Sequence, residues 1–265
     1  MPRLTRKLRY AMWALNGRFG RKITVESPQM VTVLITYFHP ARMKHINAQI
    51  GNILKCSFVD KVVVSNHNAD IKIEEKVSTR SERVVFINQS VSRACGYRWR
   101  LAKDLGADYL VAIDDDVLLF PNQLKTLFEH LINEPDIPHG FSGMLQLDNN
   151  AFQYREQENI DVHYLCEVYA VTKNHVERYS KIEDLLAEED STLPDTVERL
   201  GDFIVISQTG SANPRIHQTQ RLFRSDTFKT IGIANHKDEK FIDSITEVSQ
   251  AVERIRPHLR SREAC

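Results

Sequence analysis

The chain has 265 residues, of which 42% are hydrophobic, so it is long enough to bury one substantial core. Lysine plus arginine equal aspartate plus glutamate at 35 each, a balance that argues against a nucleic-acid partner or an acidic polymer partner. Four widely spaced cysteines without a Cys-x-x-Cys pair predict a reduced, cytoplasmic protein, and no segment approaches the roughly 20 apolar residues that cross a bilayer.

Residues 1–27 are predicted to form a basic arm ahead of a single domain over residues 28–265. The first 22 residues carry seven basic side chains and no acidic one. The apolar segment Tyr10 to Leu15 is too short for a secretory signal. Apolar residues at positions 4, 8, 11 and 15 nevertheless recur at helical spacing. Such a helix either makes peripheral contact with an anionic membrane surface or packs on its own domain.

Strands and helices are predicted to alternate between residues 31 and 135. The run Val31 to Tyr37 is β-branched and mostly apolar, which is typical of a strand buried on both faces and favours a parallel sheet. A helix should end at Gly106, a residue suited to a left-handed cap. This half is therefore α/β. The other predicted elements here are strands at 61–65, 84–87 and 109–113 and helices at 40–54, 92–105 and from 121.

The second half is less regular and contains no internal repeat. Alternating or apolar runs predict strands at 141–146, 163–171 and 203–207. Helical spacing predicts helices at 174–186 and 239–255.

Three consecutive aspartates, Asp114, Asp115 and Asp116, follow the strand at 109–113 directly. Adjacent carboxylates repel one another, so a positive group should lie beside them. Hard oxygen ligands select Mg²⁺ or Mn²⁺, and in α/β sheets ligands collect beyond the carboxyl ends of the strands. The alternative is a helix cap or an exposed turn, a common use of single aspartates.

At this point the chain resembles the GT-A glycosyltransferases, whose DxD motif is matched by Asp114-Asp115-Asp116. The flanking pattern is most similar to the exostosin family, in which an arginine precedes the aspartate triplet by a helix and a strand, as Arg98 does here. The resemblance covers residues 31–135. It implies a GT-A, Rossmann-like sheet with helices on both faces, a nucleotide-sugar-binding half at 28–135 and a less regular acceptor and catalytic half at 136–265.

By that resemblance, Asp116 is the principal ligand of Mn²⁺ or Mg²⁺, Asp114 contacts the metal and the donor ribose or sugar, and Asp115 helps to orient them. Arg98 would reach the diphosphate, because a guanidinium fork matches phosphate oxygens. A surface ion pair with Asp104 is the alternative for Arg98, and Arg93 is the second candidate.

The ends of the first two strands are the expected nucleotide site. In the resemblance, Thr36 and Tyr37 meet the base and ribose, although a tyrosine here is also an ordinary core residue. Asn66, after the second strand, would bond the uracil edge of a UDP-sugar, or simply form a turn.

Sugar transfer also needs a carboxylate near the sugar. Asp202, ahead of an apolar run, is the predicted catalytic residue, with an N-cap as its alternative role and Asp195 or the cluster 188–190 as replacements. Many GT-A enzymes complete the metal site with a late histidine, for which His217 is the first candidate and His236 the second.

These features predict a glycosyltransferase, hexosyl or N-acetylhexosaminyl, that moves a sugar from a nucleotide-sugar donor to a carbohydrate or other hydroxyl acceptor. One rival is a nucleotidyltransferase that makes nucleotide sugars, but residues 37–45 lack the glycine-rich phosphate loop of that class. The other rival is a non-catalytic protein that binds nucleotide and metal.

Overall fold

The computed structural model describes residues 3–147, 151–230 and 235–263. The strands of the described chain are β1 Val31–Tyr37, β2 Val59–Asn66, β3 Val84–Asn88, β4 Tyr109–Asp114, β5 Val117–Leu118, β6 His139–Gly140, β7 Ser142–Gln146, β8 Phe152–Glu156, β9 Ile160–Asp161, β10 Tyr164–Cys166, β11 Val168–Thr172, β12 Arg215–Ile216 and β13 Phe223–Arg224. The α-helices there are α1 Arg3–Phe19, α2 Pro40–Met43, α3 Ile46–Leu54, α4 Tyr97–Leu105, α5 Pro121–Asn133, α6 Lys173–Glu189, α7 Leu193–Thr196, α8 Asp202–Ser207 and α9 Phe241–Glu263.

A central eight-stranded sheet organises the domain, with strand order β3-β2-β1-β4-β11-β6-β12-β9. Strands β3, β2, β1 and β4 are mutually parallel. Strand β11 runs antiparallel to both β4 and β6. The parallel half of the sheet therefore ends at one edge, where the carboxyl ends of β1, β2 and β4 meet.

The sheet separates two hydrophobic cores because successive side chains of each buried strand point to opposite faces. In β1, Val33 and Ile35 enter the core under α3 and α5, whereas Leu34 enters the core under α4, α6, α8 and α9. Every residue of β1 is buried, as expected for a central strand with helices on both faces. The predicted α/β class is confirmed, and Gly106 ends α4 at φ 60° as predicted.

The N-terminal arm contains α1, which packs on the domain through one face. Trp13 is fully buried and its indole Nε1 donates to the Leu119 carbonyl at 2.8 Å. Gly17 allows close approach to α3, because a Cβ there would lie 2.9 Å from the Ala48 carbonyl oxygen. No helix within the described residues is both long and apolar enough to cross a membrane.

Two of the strands predicted in the second half differ from the structure: one is a helix and the other is divided into two strands. The run Phe203–Ser207 is helix α8 rather than a strand, since a short apolar run that is buried on all sides has no diagnostic period. The alternating run at 163–171 is two strands, β10 and β11, because Glu167 between them adopts a left-handed φ of 66°.

Candidate functional site

A cleft of about 1070 Å³ lies beyond the carboxyl ends of the parallel strands. Asp114 is the last residue of β4, and Asp115 and Asp116 form the turn into β5. All three line the cleft. Asp115 and Asp116 are each only 5% exposed, whereas the Asp114 side chain keeps 30% of its surface accessible. Asp114 is thus the carboxylate of the three most open to a ligand.

Arg98, on α4, joins the aspartate triplet to the second half of the chain. Its Nη1 donates to Asp114 Oδ1 at 2.5 Å, and its Nε and Nη2 donate to Asp202 Oδ2 at 3.0 Å. The side chain is 3% exposed. The predicted surface pair with Asp104 is therefore wrong. The guanidinium lines the cleft but is already bonded to two carboxylates, so it does not lie open for a diphosphate as predicted.

Asp202 lies in the cleft at the first turn of α8, after the π-helical turn Val197–Gly201. Its Oδ2 accepts the indole Nε1 of Trp99 at 2.9 Å in addition to Arg98. The N-cap of α8 is Gly201 and Asp202 is the first residue of the helix, so the N-cap alternative fails. Two donors hold the carboxylate in one orientation beside Asp114. Asp195 also lines the cleft, whereas residues 188–190 do not.

Arg42, which the sequence reasoning missed, clamps the other two aspartates. Its Nη1 donates to Asp115 Oδ1 at 2.6 Å, and its Nη2 lies 3.1 Å from Asp116 Oδ2. The third nitrogen, Nε, donates to Thr227 Oγ1 at 3.1 Å. Its position in the sequence could have indicated this role. Arg42 lies three residues after His39, the N-cap of α2, and therefore close to the end of β1 at the same sheet edge as the triplet.

A second unpredicted group, centred on Glu167, also lines the cleft, and the Asp114 backbone N–H donates to the Glu167 carbonyl at 2.9 Å. Arg224 Nε donates to Glu167 Oε1 at 2.6 Å, and its Nη2 reaches Glu156 Oε2 at 2.7 Å. The Glu167 carboxylate also accepts from Ser142 Oγ at 2.8 Å and from Tyr154 OH at 3.1 Å. A glutamate held at φ 66° is uncommon, and such backbone strain concentrates at functional sites. Its partner Arg224 lies 57 residues away, so no local pattern signals the pair.

Negative charge exceeds positive charge in the described lining of the cleft. Nine acidic and seven lysine or arginine side chains leave a formal excess of two negative charges when all of them are ionised. Burial raises the pKa of Asp115 to about 6, against the opposing effect of Arg42. Burial, with repulsion from its two neighbours, also raises the pKa of Asp116 well above its usual value. Burial raises the pKa of Asp114 despite Arg98. A cation in this cleft would relieve the excess.

Three of the predicted nucleotide contacts also line the cleft: Thr36, Tyr37 and Arg93. Tyr37 is fully buried and its hydroxyl donates to Gln49 Oε1 at 2.5 Å, so it has a core role whether or not it meets a base. The Arg93 guanidinium lies 4.7 Å from the centroid of the Tyr97 ring. Their placement is compatible with the nucleotide site, and their roles stay predictions.

Asn66 and His217 do not join this group. Asn66 is fully buried and donates to Ile71 O in the turn that follows β2 and to Asn88 Oδ1 at the end of β3, so the predicted contact with uracil is not supported. His217 lies outside the cleft, where its Nε2 is 2.9 Å from His139 Nδ1 and its ring stacks on another histidine. The first candidate for the metal histidine is therefore corrected.

His236, the second candidate, does line the cleft. Burial and the charge of Lys237 lower its pKa. Across the described ranges, no three His, Cys, Asp or Glu side chains are arranged to hold a metal ion between them. The carboxylates of the triplet nevertheless fit a cation that takes one or two protein ligands and its remaining ligands from phosphate and water.

Comparison with known proteins places the fold. No protein-family model and no curated protein sequence matches the chain. The structure of GalNAc-T7 with UDP, GalNAc and Mn²⁺ is similar, with a TM-score of 0.51 at 8% identity over 76% of this chain and 43% of that chain. The chain thus corresponds to less than half the length of that protein. CMP:2-keto-3-deoxy-manno-octonic acid synthetase complexed with CTP gives a TM-score of 0.45 at 10% identity, covering 83% and 99% of the two chains. The chain has a GT-A-like α/β fold.

Proposed function

We propose that this protein is a metal-dependent glycosyltransferase that takes a sugar from a nucleotide-sugar donor, a UDP-sugar, and transfers it to a carbohydrate or other hydroxyl acceptor. The observation that carries the proposal is the position of Asp114, Asp115 and Asp116. They line a cleft at the carboxyl ends of parallel strands, with an excess of negative charge around them. The exostosin-like pattern around Arg98 supports the same class.

The triplet is suited to Mn²⁺ or Mg²⁺ by the chemistry of its donors. Asp114, the most exposed of the three, and Asp116 would hold the cation, with His236 as the nearby nitrogen donor. When bound, the cation supplies positive charge that stabilises the departing diphosphate. Arg42 is bonded to Asp115 and Asp116, and it supplies the local positive charge from the chain itself.

Asp202 is the proposed catalytic carboxylate. Trp99 and Arg98 donate to the same oxygen, Oδ2, which fixes the orientation of the group and leaves Oδ1 toward the thiol of Cys95 at 3.6 Å. A carboxylate held in this way can accept a proton from an acceptor hydroxyl or stabilise positive charge on the sugar carbon. Arg98 is a positioning residue, because it acts through Asp202 and Asp114.

A thermal-shift series tests the proposal. UDP, UDP-sugars and CTP are each added with and without Mn²⁺. A ligand at a hundred times its Kd stabilises the folded state by about 2.7 kcal/mol, which raises Tm by about 5–10 °C in a domain of this size. The proposal expects a shift with UDP-sugars that needs Mn²⁺. A shift with CTP but not with UDP or UDP-sugars would favour the nucleotidyltransferase instead.

Three substitutions sharpen the test. Asp116→Asn should abolish the metal-dependent shift without unfolding the protein, whereas Asp60→Asn, at an exposed aspartate of β2, should leave it unchanged. If Asp116→Asn responds as the wild type does, the cation binds elsewhere. Release of UDP from the donor should fall at least about a hundredfold in Asp202→Ala. Donor binding that persists with no turnover in the wild type would identify a non-catalytic binding protein.

A further inference from the structure

The outer face of α1 carries a continuous apolar stripe. Leu8, Met12, Leu15 and Phe19 are 61%, 59%, 55% and 70% exposed, respectively. Their spacing of four, three and four residues places them on one side of the helix, within about 60° of arc. The opposite side, with Trp13 and Gly17, is the side packed on the domain.

This stripe is not the ordinary scatter of surface hydrophobes. The described residues expose eleven large apolar side chains, and four of them lie on this single helix. Single exposed hydrophobes need no explanation, but a contiguous apolar strip on a surface marks a binding face. The other seven are distributed over the rest of the described chain.

The charge around the stripe selects the partner. Seven lysine or arginine residues and no acidic residue occur in the first 25 positions. Lys7, Arg18, Arg21 and Lys22 are exposed. The Arg18 guanidinium lies 5.1 Å from the centroid of the Phe19 ring, so a basic group borders the apolar strip directly. The rest of the chain compensates this charge, because the whole protein has no net charge.

We infer that the outer face of α1 is a docking surface for an anionic lipid bilayer, with the apolar stripe entering the acyl boundary and the basic residues contacting the headgroups. An amphipathic helix with apolar side chains on one face and lysine or arginine on its flanks lies in the plane of such an interface. Long basic side chains reach the headgroups while their stems cover apolar surface.

A second copy of the chain fits this surface less well. A symmetric dimer brings the same patch of each protomer together, so the basic flanks of the two helices would face each other. Like charges across an interface oppose association. Headgroups of negative charge instead match the exposed basic residues, Lys7 near the start of the helix and Arg18, Arg21 and Lys22 at or just after its end.

Co-sedimentation with vesicles tests this surface, and it uses no nucleotide, so its outcome is independent of the proposed catalytic function. The full chain is mixed with vesicles of equal parts phosphatidylglycerol and phosphatidylcholine, or of phosphatidylcholine alone. The wild type should bind the anionic vesicles and not the neutral ones. The double variant Leu15→Ser/Phe19→Ser should lose at least about tenfold in partition coefficient, because two large exposed side chains no longer enter the acyl boundary.

A matched control is available elsewhere on the surface. Val91→Ser/Ile242→Ser removes two apolar side chains that are 52% and 54% exposed and should leave vesicle binding unchanged. Arg18→Gln/Lys22→Gln, in contrast, should weaken binding to the anionic vesicles. Thermal melting and circular dichroism confirm that each variant is folded, as expected at exposed positions.

Three results would overturn the inference. The wild type could fail to bind anionic vesicles, or Leu15→Ser/Phe19→Ser could bind as well as the wild type. Light scattering could also show a wild-type dimer that becomes monomeric in that variant. The last result would assign the stripe to a second copy of the chain.

Discussion

Arg98→Met is the substitution whose effect the structure predicts in most detail. Methionine fills much of the space of the arginine stem but carries no charge and donates no hydrogen bond. The change leaves Asp114 and Asp202 without their shared guanidinium. Arg98 and Asp202 are each 3% exposed in their side chains, so water cannot take over that role fully.

The cost should be large at neutral pH. Breaking a buried ion pair by removing one partner costs about 3–5 kcal/mol, since the remaining charge is left buried. Asp114 is 30% exposed and retains some hydration, which places the expected loss near the lower limit, about 3 kcal/mol. Arg100→Met is the matched control. Its arginine is 43% exposed and pairs with Glu183 and Glu198 at the surface, so a loss of less than about 1 kcal/mol is expected.

The penalty should also depend on pH with a definite sign. Burial raises the pKa of Asp114 even with Arg98 present, and removing the arginine strengthens this effect. A carboxyl whose pKa is higher in the folded state binds more protons when folded. Its stabilising contribution is therefore present at low pH and lost as pH rises through the folded-state pKa. The difference in stability between Arg98→Met and wild type should shrink between pH 7 and pH 5.

Urea unfolding of both proteins at the two pH values measures that difference. Comparison with the wild type removes the acid sensitivity that all other groups contribute. A loss below about 1 kcal/mol at pH 7 would show that the guanidinium does not compensate the two carboxylates. An equal loss at both pH values would show that the uncompensated charge is not the cause.

Three further outcomes test other parts of the fold. Trp13→Ala should lower the free energy of unfolding by about 3–5 kcal/mol, because it empties a fully buried site and removes the bond to Leu119; a smaller loss in urea titrations would mean that α1 is loosely attached. Burial and neighbouring histidines lower the pKa of His217 to about 3, so the unfolded chain binds a proton that the folded chain does not, and stability is lost as pH falls below about 6.5. His217→Gln should remove about 2 kcal/mol of the loss between pH 6.5 and pH 5, and an unchanged pH profile of urea unfolding would contradict this. Gln157→Gly should be neutral or stabilising by up to about 1 kcal/mol, because this exposed residue has φ 65° and glycine adopts that conformation without strain; a clear drop in Tm would contradict it.

The parallel half of the fold could be predicted because its signals are local. Strand β1 has the bounds expected from its β-branched run, and β4 ends at the first aspartate of the triplet. The predicted helix at 40–54 is two helices, α2 and α3, and the one predicted from residue 92 begins only at Tyr97. Helix ends depend on tertiary contacts, whereas the buried strands follow from composition.

The second half shows where single-sequence reasoning fails. The apolar run of α8 is buried against α6, α9 and strand β10, so no polar face reveals its period. Gly201, just before it, lies where a Cβ would be 2.9 Å from a Val248 side-chain carbon, a contact between segments that sequence spacing does not reveal.

For the site, the aspartate triplet and Asp202 were found from the sequence, whereas Glu167, Arg42 and Arg224 were not. The triplet and Asp202 each lie beside an apolar run, and the cleft contains all of them. Arg42 lies 73 residues along the chain from its partner Asp115, and Arg224 lies 57 residues from its partner Glu167. Those pairings depend on the topology of the sheet, and no local motif encodes them.

Arg224 connects helix α1 with the lining of the cleft. Its backbone carbonyl accepts a hydrogen bond from Arg6 of α1 at 3.2 Å, while its guanidinium holds Glu167 and Glu156 on the cleft wall. One residue thus contacts α1 through its main chain and the carboxylates of the cleft lining through its guanidinium. Truncating the first 19 residues should therefore alter the geometry of the cleft around Glu167 as well as remove the apolar stripe of α1, so the proposed activity should be measured on the full chain.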